Sequence, residues 1–153
     1  MKHIFIVNPT SGNGQYLDIM NQIEHVFKDR NDYQVIMTEY AGHAEVVASQ
    51  YDTNHRIYAV GGDGTAHEVL NGLQEGVPLG LIPAGSGNDF LRNMTPEFDM
   101  ENIIENIIIG PSNPIDYVMF NDRRQLNCAN VGLDADVNKG VNDSKIQFLP
   151  RKS

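Results

Sequence analysis

The chain has 153 residues, 41% hydrophobic and 20% charged, which suffices for one domain with a core of its own and is too few for two full ones. Its formal net charge of −9 repels phosphate backbones, which argues against general nucleic-acid binding and against a broad basic face for membranes. A single phosphate ligand stays compatible with that charge, because backbone N–H groups hold phosphates without Lys or Arg. Cys128 is the only cysteine, so an intrachain disulfide is excluded and a reducing, cytoplasmic setting is expected.

Strand-like and helix-like segments alternate along the chain. Ile4 to Val7 is a continuous apolar run, as expected of a strand buried on both faces; Asn8-Pro9 ends it too soon for a signal peptide. After a Gly-rich loop, Tyr16, Leu17, Ile19, Met20, Ile23, Val26 and Phe27 recur at helical spacing. Tyr33 to Thr38 reads as a second strand and Ala44 to Tyr51 as a short helix. Ile57 to Val60 is a third strand, Ala66 to Leu73 a helix, and Leu79 to Ile82 a fourth strand. Met100 to Ile109 looks helical. No stretch approaches the roughly 20 apolar residues of a membrane span.

This βαβαβαβα order predicts an α/β fold: a three-layer, open, mainly parallel sheet with helices on both faces. Ligands then bind at the carboxyl ends of the strands. All three Gly-rich loops follow predicted strands, so they are expected to crowd onto one edge of the sheet. After Pro111 the pattern changes. Ile115 to Phe120 and Arg123 to Val131 look like two strands joined by an Asn121-Asp122 turn. The expected division is 1–120 for a nucleotide-binding domain and 121–153 for the start of an incomplete β-rich one.

The first loop, Asn8-Pro9-Thr10-Ser11-Gly12-Asn13-Gly14, joins a strand to a helix. Its glycines let a phosphate approach the backbone, and Thr10 and Ser11 can donate hydroxyl hydrogen bonds. A plain turn would use the same residue types. The loop is neither a Walker A loop nor a Rossmann fingerprint, since the Gly spacing fits neither and no Gly-Lys-Ser/Thr follows. The second, Gly61-Gly62-Asp63-Gly64-Thr65, is more specific: three glycines surround one acid at a strand-to-helix junction. Asp63 suits a metal or a hydroxyl, or else a simple N-cap. Glu68 by itself reads as a solvated helix residue. The third is Pro83-Ala84-Gly85-Ser86-Gly87-Asn88-Asp89-Phe90, where Ser86 and Asn88 offer polar contacts and Asp89 could cap the next helix.

Taken in order, these three loops resemble the catalytic domain of diacylglycerol kinases and related bacterial, sphingosine and ceramide kinases. The second loop is shared with NAD kinases; the first and third select the lipid kinases. The resemblance spans roughly Met1 to Val137. It implies ATP, carried with Mg²⁺, as the phosphoryl donor, and a lipid hydroxyl such as that of diacylglycerol as acceptor. It implies nucleotide contacts from Asn8, Pro9, Thr10, Ser11 and Gly12, and from Gly62, Asp63, Gly64, Thr65, Ala66, His67 and Glu68. Thr38 matches a further nucleotide-contacting threonine, before Ala41-Gly42-His43-Ala44, and Ser86 the hydroxyl of the third loop. Asp63 is the acid best placed for the chemistry; the metal ligands stay unassigned. Of the five histidines only His67 lies near the presumed phosphates, and none shares the usual zinc spacing.

The family also implies a β-sandwich domain after this one, which supplies the usual proton acceptor and helps form the lipid cleft. Asn127 to Val137 resembles its opening strand, and the later acidic motif has no counterpart. Two alternatives therefore stand beside the lipid kinase: a nucleotide-binding fragment inactive by itself, and a NAD kinase-like enzyme. Arg123, Arg124 and the strand from Leu126 to Val131 would pack on the second domain in the family, so self-association through the exposed C-terminal strands is expected. Localisation is expected to be cytoplasmic, with transient contact at a membrane surface during lipid turnover.

Overall fold

A computed structural model of the chain describes residues 1–84 and 99–126. By compactness the chain divides into two units, 1–112 and 113–153.

In the first unit, β1 (Lys2–Val7), β2 (Tyr33–Met37), β3 (His55–Gly61) and β4 (Leu79–Pro83) form one sheet. The order is β2-β1-β3-β4, and every pairing is parallel. Alternation along β1 and β3 sorts their side chains between two cores. Phe5, Val7, Tyr58 and Val60 face helix α1 (Tyr16–Val26) and helix α4 (Ile103–Ile109), with Ile19, Ile23, Phe27 and Ile104 buried among them. Ile4, Ile6, Ile57 and Ala59 face helices α2 (His43–Ala48) and α3 (Asp63–Gly72), through Val47, Ala48 and Val69. The expected α/β architecture, a parallel sheet with helices on both faces, is therefore the observed one.

A stacked aromatic layer stiffens the first core. Phe5 and Tyr58 lie 4.5 Å apart between centroids, and Phe27 meets Phe5 edge-on at 5.7 Å. Such pairs contribute about 0.5–1.5 kcal/mol each beyond simple burial. His3 is buried beside them, with Nδ1 2.8 Å from the Tyr58 hydroxyl; burial pushes its pKa below 6.5 and that of Tyr58 above 10. At the far end, Arg56 satisfies the last carbonyls of α4. Its Nη1 donates to Ile108 at 2.9 Å and Gly110 at 3.2 Å, and its Nη2 to the Ser112 hydroxyl at 2.8 Å.

Three helix starts differ from the sequence-based expectation. Helix α3 begins at Asp63 rather than Ala66, because the Ala66 N–H already donates to the Gly62 carbonyl, 3.1 Å away. Helix α2 begins at His43, after Gly42 in the left-handed region (φ 89°), and ends at Ala48, short of Tyr51. Helix α4 starts at Ile103 instead of Met100, since the Asp99 carboxylate binds the Glu101 N–H and the Asn102 side chain in a local turn.

In the second unit, β5 (Val118–Phe120) and β6 (Arg123–Gln125) form an antiparallel hairpin. Asn121 (φ 47°) and Asp122 (φ 62°) make the two-residue turn that the sequence predicted. Strand β5 is shorter than expected, since Ile115 to Tyr117 lies outside it; β6 ends before Leu126, and the expected continuation over 127–131 falls outside the described residues. Among the described residues no helix is long and apolar enough to cross a membrane.

Candidate functional site

The sheet order fixes where a site can form. From β1 the chain passes to β2 on one side and then returns to β3 on the other. The switch point therefore lies between the carboxyl ends of β1 and β3, where helices diverge and leave a crevice. The first two Gly-rich loops leave the sheet at that point.

Asn8 ties the loops together. Its N–H continues the ladder to the Val60 carbonyl at 2.9 Å. Its side-chain oxygen accepts from the Thr10 N–H at 3.0 Å and the Thr10 hydroxyl at 2.8 Å, which folds the loop back on itself. Its side-chain amide donates to the Thr65 hydroxyl at 3.2 Å, linking the first loop to the second. Thr65 is 5% exposed, one of two buried polar residues among those described.

Glycine sets how closely the loops approach. Gly12 lies at φ 64°, and a Cβ there would overlap the carbonyl of Ala84, at the end of β4. A Cβ at Gly61 would overlap the Thr65 side chain. Gly62 is different: it has ordinary extended angles, and a Cβ there would meet nothing within 4 Å. The space in front of Gly62 is thus open, while Gly12 and Gly61 are closed by the protein itself. Between them these contacts bring the first loop against the ends of both β3 and β4; of the third loop expected at this edge, residues 85–90 lie outside the described residues.

The loops open onto a cleft of about 260 Å³. Of the residues expected from sequence, Asn8, Thr10, Thr38, Thr65 and Glu68 line it. Thr38 is held there because its N–H donates to the Val7 carbonyl at 2.8 Å, extending β2 by one residue. Gly62, Asp63 and Ala66 border a separate hollow of about 10 Å³. Pro9, Ser11, Gly12, Gly64 and His67 line neither, and Ser86 lies outside the described residues. His67 keeps its Nε2 shielded from solvent without a hydrogen-bond partner among the described residues. Glu39, Tyr40, Ala41 and Ala44 also line the cleft and were not singled out as contacts from sequence. The signal was present, since they follow β2 directly and share its carboxyl-end position.

Asp63 is exposed, the first residue of α3 and without a side-chain capping bond; Gly62 is the N-cap. The capping alternative weighed from sequence is thereby corrected, because the helix starts one residue before Asp63 could fill that role. The first N–H groups of a helix lack partners within it and carry partial positive charge, so this end of the ten-residue α3 favours an anion. Among the described residues no three His, Cys, Asp or Glu side chains group as a metal site.

Comparison with known proteins identifies the family. Residues 2–120 match the diacylglycerol kinase catalytic domain. A diacylglycerol kinase of Staphylococcus aureus is 34% identical over 133 residues, covering 81% of this chain and 41% of that protein. The sphingoid long-chain bases kinase 1 of Arabidopsis thaliana is 42% identical over 103 residues, covering 59% of this chain and 14% of that protein. The crystal structure of a diacylglycerol kinase from Bacillus anthracis superimposes with a TM-score of 0.71 at 28% identity, covering 82% of this chain and 46% of that one. The chain thus spans less than half the length of these relatives. By the extent of the family match and the fold it shares, the chain belongs to the diacylglycerol kinase catalytic domain family.

Proposed function

We infer that the cleft binds Mg-ATP and that the chain carries the nucleotide side of a lipid kinase, passing the γ-phosphoryl group to a lipid hydroxyl. The observation that carries this reading is the Asn8 junction, which links the β1 and β3 loops at the switch point of a parallel sheet. The acceptor class follows from the relatives, a diacylglycerol kinase and a sphingoid-base kinase, which by name share a lipid alcohol as substrate. Such an acceptor brings the protein into transient contact with a membrane surface.

Phosphoryl transfer asks a protein for in-line positioning and charge neutralisation more than for covalent chemistry. The start of α3 and the Thr65 hydroxyl supply donors to the phosphates. The open face of Gly62 gives them room, while Thr38 and Glu68 border the cleft. Bound Mg²⁺ would neutralise the phosphate oxygens. The lipid hydroxyl oxygen then bonds to the γ-phosphorus as the bond to the β-phosphate oxygen breaks and ADP leaves. The hydroxyl proton passes to a carboxylate, for which exposed Asp63 is the candidate.

Transfer of labelled phosphate from Mg-ATP to diacylglycerol in mixed micelles tests this. Labelled phosphatidic acid is expected from the native chain, with Asp63→Asn lowering its formation about 10²–10⁴-fold, the usual contribution of a positioned acid or base. Undiminished transfer by Asp63→Asn would remove Asp63 from the mechanism. Nucleotide binding without transfer would favour the alternative of a nucleotide-binding module.

A further inference from the structure

The cleft has one aromatic wall whose placement core packing does not explain. Tyr40 sits in the loop between β2 and α2, borders the cleft, and leaves 59% of its surface exposed. An exposed aromatic ring is commonly free to change rotamer, but this one is braced. It stacks on the His43 imidazole with centroids 4.6 Å apart and planes 10° from parallel. The imidazole is fixed in turn, since its Nδ1 accepts the Glu39 N–H at 3.0 Å, and the His43 N–H donates to the Tyr40 carbonyl at 3.1 Å. Gly42, at φ 89°, allows the tight reversal that brings the two rings together.

One face of the Tyr40 ring is thus covered by a planar group, and its exposure belongs to the other face and the edge. The same cleft is lined by Thr10 and Thr65 beside the Gly-rich loops. A ligand that uses both features carries phosphates joined to a flat, largely apolar group. We propose that Tyr40, braced by His43, is the platform on which the nucleobase of the bound nucleotide stacks. This rests on the nucleotide reading of the cleft and deepens it by naming the base-binding wall. Stacking is tolerant of base identity, because every base presents a π-face. Tyr40 therefore contributes affinity for ATP and GTP alike, and discrimination between them comes from other groups.

The test compares binding of Mg-ATP and Mg-tripolyphosphate to the full chain by calorimetry. Tripolyphosphate keeps the phosphate contacts and lacks the base. Tyr40→Ala is expected to weaken ATP about tenfold, in line with the loss of one base-aromatic stack, and to change tripolyphosphate by no more than about twofold. Tyr40→Phe keeps the ring and is expected to retain native ATP affinity. Unchanged ATP affinity in Tyr40→Ala overturns the platform while leaving nucleotide binding in place. Equal losses for both ligands also overturn it, since the side chain would then act on the phosphate loops. A native chain that binds neither ligand overturns the nucleotide reading and the platform together.

Discussion

Replacing Gly12 by alanine tests how the first loop is seated. The new Cβ has two separate consequences. At φ 64° an L-residue is strained by about 1–2 kcal/mol, whatever surrounds it. The Cβ also overlaps the Ala84 carbonyl, a backbone group at the end of β4 that cannot swing aside as a side chain could. Overpacking of this kind typically costs about 1–3 kcal/mol. Gly14 separates the two effects, because it has φ 92° and nothing within 4 Å of its Cβ position. Gly14→Ala should therefore cost about 1–2 kcal/mol by strain alone. Gly12→Ala should cost about 2–5 kcal/mol from both effects, a substantial part of the 5–15 kcal/mol typical of a domain. Urea unfolding followed by circular dichroism measures both variants, and Mg-ATP titration shows whether the loop has left its seat. Equal destabilisation by the two variants, with unchanged ATP affinity, would refute the claim that Gly12 exists for the approach to β4.

Gly62→Val should leave the fold nearly intact, losing about 1 kcal/mol as a poorer N-cap, while abolishing ATP binding, because its side chain fills the open space before the loop; titration of the folded variant checks this. Arg56→Ala should destabilise the first unit by about 2–4 kcal/mol in urea unfolding, since the carbonyls of Ile108 and Gly110 lose a charged donor in a part-buried site. The folded-state pKa of His3 lies below its unfolded value near 6.5 because burial disfavours the charged form. Stability is thus fully present above pH 6.5 and declines as pH falls from there toward the folded pKa; His3→Asn should flatten that slope between pH 7 and 5 in thermal unfolding. The Asp32 carboxylate, held near a pKa of about 2 by its hydrogen bonds from Arg30, acts in a separate window between about 4 and 2.

The sheet was legible because β1 and β3 are continuous apolar runs and the helices repeat every three to four residues. Ile4 to Val7 and Ile57 to Val60 read as strands buried on both faces, and all eight residues are buried. Three of the four strands could be followed directly by a turn-rich loop, which is why the carboxyl edge could be named as the site. The start of α3 was less legible, since Gly and Asp read as loop residues and only the Ala66 to Gly62 bond draws them into the helix. The role of Asn8 needed geometry: its bond to Thr65 joins residues 57 apart in sequence. Tyr40 escaped notice because a single tyrosine after a strand carries no pattern, and only its stack on His43 sets it apart.

The most direct measurement is amide chemical-shift mapping of the isotopically labelled chain during titration with Mg-ATP. The account predicts that shifts concentrate at Asn8 to Gly12, Thr38 to Ala41 and Gly62 to Glu68. Shifts confined to the opposite, amino-terminal edge of the sheet, or none at saturating nucleotide, would contradict it.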